Sequence, residues 1–351
     1  MLRSNETAKR NEIAFRGLFL MIDKLDYCGN IEITMKNSKK ILLSGIKPTG
    51  KAHIGNYFGA LKQWVDLQNE YDTYIFIPTF HALTGEVKTA QELKELEHDL
   101  VLDLLGIGID PNVVTLWRQQ DVPQVTELSW IFSCITTMPQ LMRAHAFKDA
   151  EAKNKDISVG SFNYPLLMAA DIVLYDANKV PVGQDQVQHV EIAREVVRKF
   201  HINYGDGVFT EPEALVISSV AVVPGIDGQK MSKSYNNTIP LFGTDEEIKK
   251  AIMSIVTDSS GDLPVNVYAI HKLFKSESEL KDLYEEKKGK YKDLKEALLA
   301  DILEFVTPMR KRREEYANNP KKVAEILAQG AEKARAKAVE KMKLVHERIG
   351  L

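Results

Sequence analysis

From Lys40 to Phe200 short apolar runs alternate with longer stretches whose apolar positions recur at helical spacing. The short runs predict strands over Lys40–Ser44, Thr73–Pro78, Val113–Arg118 and Lys179–Val182. The longer stretches predict helices over Ile54–Gln68, Ala90–Leu105, Val125–Ile135, Pro165–Tyr175 and Gln184–Phe200. Strands separated by helices mean βαβ units and a parallel sheet. In such sheets ligands sit beyond the carboxyl ends of the strands, where the strand order reverses. After about Thr244 the strand pattern stops, and helical periodicity runs on through Leu294–Val306 and Pro320–Ile349. Residues 1–38 carry scattered charges and a short helical pattern over Asn11–Leu25, and Met35 stands just ahead of the first strand as a natural start. The expected architecture is α/β: a Rossmann-like parallel-sheet catalytic domain over 39–243, an all-helical C-terminal region over 244–351, and an extension with little structure over 1–38. No internal repeat interrupts this plan.

Composition narrows the class only slightly. The chain has 351 residues, 44% hydrophobic and 27% charged, which suits a globular protein with a full core. Its two cysteines, Cys28 and Cys134, cannot build a disulfide framework or a four-cysteine metal site within one chain. They suit a reducing compartment. A net charge of −3 gives no sign of a nucleic-acid-coating protein, although an enzyme gripping RNA on one face can be mildly acidic. No stretch approaches the roughly 20 apolar residues of a membrane span. The run Leu18–Ile22 is too short for a signal-peptide core. A cytoplasmic protein with no membrane anchor is expected.

The chemistry-bearing residues begin right after the first strand, in Ser44-Gly45-Ile46-Lys47-Pro48-Thr49-Gly50-Lys51-Ala52-His53-Ile54-Gly55-Asn56. One reading is a phosphate-binding P-loop, which Gly45, Gly50 and Lys51 fit. Ala52 counts against it, because that position needs a hydroxyl to hold magnesium. The other reading centres on His53 and Asn56, which share a face of the helix's first turn. There Gly55 lets a flat adenine approach the backbone, and free N–H groups at the helix start favour phosphate. A plainer alternative makes His53 a helix cap and Gly55 a packing glycine.

Far downstream, Gly225-Ile226-Asp227-Gly228-Gln229-Lys230-Met231-Ser232-Lys233-Ser234 forms a glycine-flanked polar loop with two lysines. Lys230 and Lys233 can pin a polyphosphate from the side opposite the helix start; a solvated basic loop is the alternative. His53-Ile54-Gly55-Asn56 and Lys230-Met231-Ser232-Lys233-Ser234, in this order, resemble the two signatures of the class I aminoacyl-tRNA synthetases. The reaction of that class suits these residue types. A carboxylate already ionised attacks the α-phosphate of ATP, so positioning and charge stabilisation do the catalysis and no general base is required.

Two further segments bear on the amino acid. Tyr164-Pro165-Leu166-Leu167-Met168-Ala169-Ala170-Asp171 puts one carboxylate on an apolar helix face, where an unpaired charge is costly. Indole offers one N–H donor and no acceptor, so Asp171 in an oily slot would satisfy it. An Asp paired with a lysine or a backbone N–H is the competing account. In Val180-Pro181-Val182-Gly183-Gln184-Asp185-Gln186 a strand ends on a glycine and a helix starts on polar residues. Gly183 permits close approach of ribose or adenine, Asp185 can accept from ribose hydroxyls, and Gln186 can reach a substrate ammonium. An ordinary helix start explains the segment as well.

Together these segments, with Gly55-Asn56-Tyr57, His81-Ala82 and Gly330-Ala331-Glu332-Lys333-Ala334, closely resemble the bacterial tryptophanyl-tRNA synthetase family from about Ile41 to the C-terminus. For ATP the resemblance implies Lys47, Pro48, Thr49, Gly55, Asn56, Gly183, Gln184, Asp185, Val222, Lys230, Met231, Ser232, Lys233 and Ser234, with His53, Asn56, Lys230 and Lys233 catalytic. For tryptophan it implies Asp171, with Met168, Gln186, Tyr164, His81, Val180 and Val182 around it. It also implies Mg²⁺ carried with ATP and not held by protein side chains, tRNA(Trp) as acceptor, and a symmetric homodimer. The apolar run Trp130–Ile135 is a candidate interface or core segment. Basic residues at Arg310–Arg313 and along Lys333, Arg335, Lys337, Lys341 and Lys343 fall where the family's helices meet the anticodon, though a solvated, salt-laced helix would carry the same charges. The chain departs from many members at Ala150, where they carry a second lysine after the position of Lys148. Lys153 and Lys155 follow later. A nucleotide- or RNA-binding relative without charging activity, and a tyrosyl-tRNA synthetase relative, are the alternatives in function.

Overall fold

Ile41–Gly45, Asp72–Ile77, Val114–Arg118, Lys179–Val182 and Glu213–Val216 form strands β1 to β5, all parallel, in the order β3-β2-β1-β4-β5. β2 is buried from Thr73 to Ile77 without alternation, as expected for a strand covered on both faces. The structure, a computed structural model, describes residues 39–84, 88–144, 147, 148, 151, 156–216, 223–257 and 263–351, without the side chain of Asp185. The expected extension over 1–38 therefore lies outside the described residues. Lys39–Leu351 is one compact unit.

Strand order reverses between β1 and β4, which opens a crevice at their carboxyl ends. Helix α1 follows β1 and runs as Ile54–Asn56, a π-helical stretch Tyr57–Leu61, and Lys62–Leu67. Thr79–Ala82 (α2) follows β2, and Ala90–Ile107 (α3) leads into β3. Gln124–Ile135 (α4), Met138–Met142 (α5) and Val159–Val173 (α6) lead to β4, and Val187–Tyr204 (α7) to β5. Helix α6 starts six residues before the proline that the pattern took as its beginning. Ser158 caps it, accepting from the Ser161 N–H, and Pro165 sits inside.

The last third is helical as expected: Asp245–Met253 (α8), Val265–His271 (α9), Glu277–Glu286 (α10), Tyr291–Ala317 (α11) and Pro320–Ile349 (α12). These helices share the cores of the sheet. Leu294, Leu298, Ile302 and Val306 of α11 join the core on one face. Ala331, Ala334, Ala338 and Met342 of α12 join the core on the other. Helix α12 also covers β3, the edge strand, which would otherwise offer unpaired backbone groups.

Much of the basic cluster is absorbed by this packing. Arg313 donates from Nε to Asp103 (2.7 Å) and from Nη2 to Asp99 (2.8 Å) of α3. Arg312 Nε donates to the Gly106 carbonyl at 3.0 Å, and Arg310 pairs with Asp245. On α12, Arg335 donates to the Asp121 carbonyl, and Lys341, buried, binds Asp176 and the Val208 carbonyl. Lys333 pairs with Asp72. These cations hold the last two helices to neighbouring helices, loops and the start of β2. Lys311 and Lys343 are exposed. The Trp130–Ile135 run divides similarly: Phe132 is fully buried, whereas Trp130 is 70% exposed.

Candidate active site

At the carboxyl ends of β1 and β4 lies a cavity of about 430 Å³. Its walls include His81, Tyr164, Met168, Asp171, Val180, Val182 and Gln186, the seven side chains expected to surround tryptophan. Lys47 and Gly183, from the ATP set, line it as well. The remaining lining is mostly apolar, from Leu43, Ile46, Trp64, Phe76 and Ile172.

Asp171 is buried, and its partners decide between the two accounts of it. Gln119 Nε2 donates to Oδ1 (2.8 Å) and Oδ2 (2.9 Å), and His81 Nε2 lies 2.8 Å from Oδ2. Neither a lysine nor a backbone N–H holds it among the described residues. Burial pushes the Asp171 carboxyl up, against the opposing pull of His81 and Gln119. Across the cavity the Tyr164 hydroxyl lies 2.6 Å from His189 Nε2, and Lys47 Nζ stands 5.6 Å from the centre of the Tyr164 ring. Partial burial lowers the Lys47 ammonium from its ordinary value.

The helix start departs from expectation in its donors. Ile54 N–H donates to the Ile239 carbonyl (3.0 Å), Gly55 N–H to Met231 Sδ (3.2 Å), and Asn56 N–H to the His53 carbonyl (2.9 Å) and to His53 Nδ1 (3.2 Å). The N–H groups expected to be free for phosphate are thus engaged. His53 is the helix cap, and Asn56 Oδ1 returns the favour by accepting from His53 N–H. The space at Gly55 is filled too: a Cβ there would lie 2.9 Å from His53 Nδ1 and 3.1 Å from Met231 Cβ. Glycine is needed here for the closeness of the two motifs.

Since Nδ1 accepts, the His53 proton sits on Nε2. Burial, then the Lys233 ammonium, hold its pKa at about 4, against 6.5. The unfolded chain takes up this proton below about 6.5 and the folded chain only near 4. The stability this group contributes is therefore intact above pH 6.5 and is lost as pH falls toward 4. Imidazole nitrogen NMR is expected to show a neutral, Nε2-protonated ring for His53 at pH 5.5, between those two values. A midpoint near the ordinary value would disprove the assignment.

The two-lysine loop lies against this helix start. Lys233 Nζ donates to the Gly50 carbonyl at 2.8 Å, and Met231 is buried beneath Gly55. Lys233 also lines, with Lys51 and His53, a second cavity of about 480 Å³. Burial lowers the Lys233 ammonium, and nearby Asp103 partly offsets that. Ser232 and Ser234 shape the turn, Ser234 N–H donating to Ser232 Oγ. Of the other expected ATP residues, Pro48 is buried, Thr49 is exposed, and Gln184 is exposed in a short turn after Gly183. Val222, Ala150, Lys153, Lys155 and the Asp185 side chain lie outside the described residues; Lys148 is exposed.

Sequence reading missed three residues. Gln119 holds Asp171; its signal was a polar residue directly after an apolar strand, at the end where ligands bind. Asn237 is buried, accepts from Ser232 N–H (2.7 Å), and donates to Asp227 and to the Lys230 carbonyl, fixing the lysine loop. Asp103 accepts from Ala52 N–H (3.2 Å) and from Arg313, tying α11 to the residue before His53.

Comparison with known proteins agrees with this geometry. The family described as tRNA synthetases class I (W and Y) matches residues 35–311. The tryptophan–tRNA ligase of Fusobacterium nucleatum is 46% identical over 317 residues, covering 88% of this chain and 97% of that protein. The tryptophan–tRNA ligase of Campylobacter jejuni strain RM1221 is 45% identical over 319 residues, covering 88% and 99%. The crystal structure of Campylobacter jejuni tryptophanyl-tRNA synthetase complexed with ADP and tryptophan superimposes with a TM-score of 0.83 at 44% identity, covering 89% of this chain and all of that one.

Proposed function

The chain belongs to the bacterial tryptophanyl-tRNA synthetases, and on that premise we propose that it activates tryptophan with ATP and passes it to tRNA(Trp). The observation that carries this reading is the cavity in which a buried carboxylate, Asp171, faces a mostly apolar slot beside Lys47 and Gly183. Asp171 accepts the indole N–H, and Met168, Val180 and Val182 enclose the ring. Tyr164 and Gln186 meet the amino-acid end, with His81 holding Asp171.

The tryptophan carboxylate attacks the α-phosphorus of ATP. A new P–O bond forms, the bond to the leaving pyrophosphate breaks, and its electron pair departs with pyrophosphate. Lys47 to Thr49 and Gly183 to Asp185 hold the nucleotide. His53 Nε2–H, Lys230 and Lys233 stabilise the phosphates, and Asn56 sets the His53 ring. With the helix-start N–H groups engaged, this charge stabilisation comes from side chains and the positive helix end. Among the described residues no cluster of three His, Cys, Asp or Glu could hold a metal ion; Mg²⁺ would arrive with ATP and would offset charge on its phosphates. A terminal tRNA hydroxyl then attacks the acyl carbon, and AMP leaves.

For tRNA the helical region 244–351 supplies the anticodon contacts, through exposed cations such as Lys311 and Lys343 and not through Arg312 or Arg313. Exposed Trp130, Met138 and Met142, on the consecutive helices α4 and α5, support a homodimer contact. No helix among the described residues is long and apolar enough to cross a membrane, and a cytoplasmic site of action fits the substrate.

Two experiments test the reading. Charging of a tRNA(Trp) transcript is expected with this chain, and adenylate formation without any charging would reduce it to a binding relative. Asp171→Asn is expected to raise the KM for tryptophan by about ten- to a hundredfold, the worth of a charged hydrogen bond, with the KM for ATP unchanged. An unchanged preference for tryptophan would remove Asp171 from the account.

A further inference from the structure

Asp171 is held by a closed ring of hydrogen bonds that no part of the reaction requires as such. Gln119 stands at the end of β3 and is 2% exposed. Its Oε1 accepts from the backbone N–H groups of Phe80 (2.9 Å) and His81 (3.4 Å), at the start of α2. This fixes the amide's orientation, because a flipped amide would set N–H against N–H. Nε2 must then face the Asp171 carboxylate, where it lies 2.8 and 2.9 Å from the two oxygens. His81 closes the ring by reaching Oδ2 from its side chain. Among the described residues Oδ2 thus has two partners and Oδ1 one. The unclaimed acceptor capacity is on Oδ1, on a carboxylate that lines the cavity.

We propose that Gln119 is a specificity-determining positioning residue: it orients Asp171 so that one oxygen stays available to a ring N–H donor. The inference rests on the reading of Asp171 given above. Gln119 lies in the second layer from the cavity and touches no substrate. Its amide suits the place on three counts. It donates to a carboxylate, it accepts from backbone at its other end, and it adds no charge beside a buried acid. Glutamate has the same shape but fails the first and third. Methionine keeps the bulk and fails all but the third.

The test measures tryptophan-dependent exchange of labelled pyrophosphate into ATP, with tryptophan and with the analogue in which sulfur replaces the ring nitrogen. The intact protein is expected to prefer tryptophan, by kcat/KM, over the sulfur analogue. Gln119→Glu and Gln119→Met are each expected to cut that preference about tenfold or more, mostly through the KM for tryptophan, with the KM for ATP unchanged. In Gln119→Glu the remaining preference is expected to rise and fall with pH, since two neighbouring carboxyls then share protons. Methionine serves as the second variant should the paired acids prevent folding. Equal losses for tryptophan and analogue, or a preference left intact, would overturn the role of Gln119 while leaving Asp171 standing. A wild-type protein indifferent to the ring nitrogen would overturn both.

Discussion

Gly330→Ala is expected to destabilise the protein by about 3 kcal/mol or more, a large loss for one methyl group. Helix propensity alone predicts the opposite, a gain of about 1 kcal/mol for alanine over glycine in a helix interior. Packing decides. Gly330 lies within α12 where it crosses β3, and an added Cβ would lie 1.9 Å from the Leu116 carbonyl oxygen and 2.7 Å from its carbon. Both are backbone atoms of a strand locked to β2, so no rotamer change relieves the overlap. The helix would have to lift, and with it the buried Ala331, Ala334 and Ala338. Urea denaturation followed by circular dichroism checks this. A midpoint displaced by less than about 0.5 kcal/mol of stability would show that α12 does not sit on β3 as described.

Lys233→Ala is expected to slow adenylate formation by about 10²–10³ while changing tryptophan affinity less than about threefold. Lys233 reaches across from its loop to the Gly50 carbonyl, lines a cavity with His53, and lies far along the chain from Asp171 and its slot. Among the described residues its partner is one exchangeable carbonyl bond, so its ammonium is available to an incoming phosphate at small cost. Charge developing on the phosphates meets a cation already in place, which is worth more than the same cation recruited from solvent. Single-turnover formation of the adenylate, with tryptophan binding followed by fluorescence, separates the two effects. Equal losses in rate and in tryptophan affinity would mean that Lys233 shapes the protein and does not act on phosphate.

The parts legible in the sequence were those with local signatures. Four strands and most helices carried them, because a buried parallel strand reads as an apolar run; Asp171 and Gln186 stood out as polar residues, and the other five residues of the slot came from the family resemblance. β5 was not read although Ala214-Leu215-Val216 is an apolar run: the strand Glu213–Val216 is only four residues long and is exposed or half-buried throughout. The helix start misled for a different reason. Spacing places N–H groups there but cannot reveal that Ile239 and Met231, remote in the chain, already accept from them. The same limit hid Gln119 and Asp103, whose meaning depends on partners far along the chain. It also hid the use of Arg312 and Arg313, which composition shows as a basic patch and which the fold spends on holding α11 to α3.

The central claim is that one apolar slot with a buried acid and one lysine-closed phosphate site serve a single substrate pair. Amino-acid-dependent exchange of labelled pyrophosphate into ATP, run across a panel of amino acids, tests it most directly. Exchange with tryptophan, and little or none with tyrosine or phenylalanine, is the predicted result. Exchange driven by tyrosine and silent with tryptophan would contradict the account.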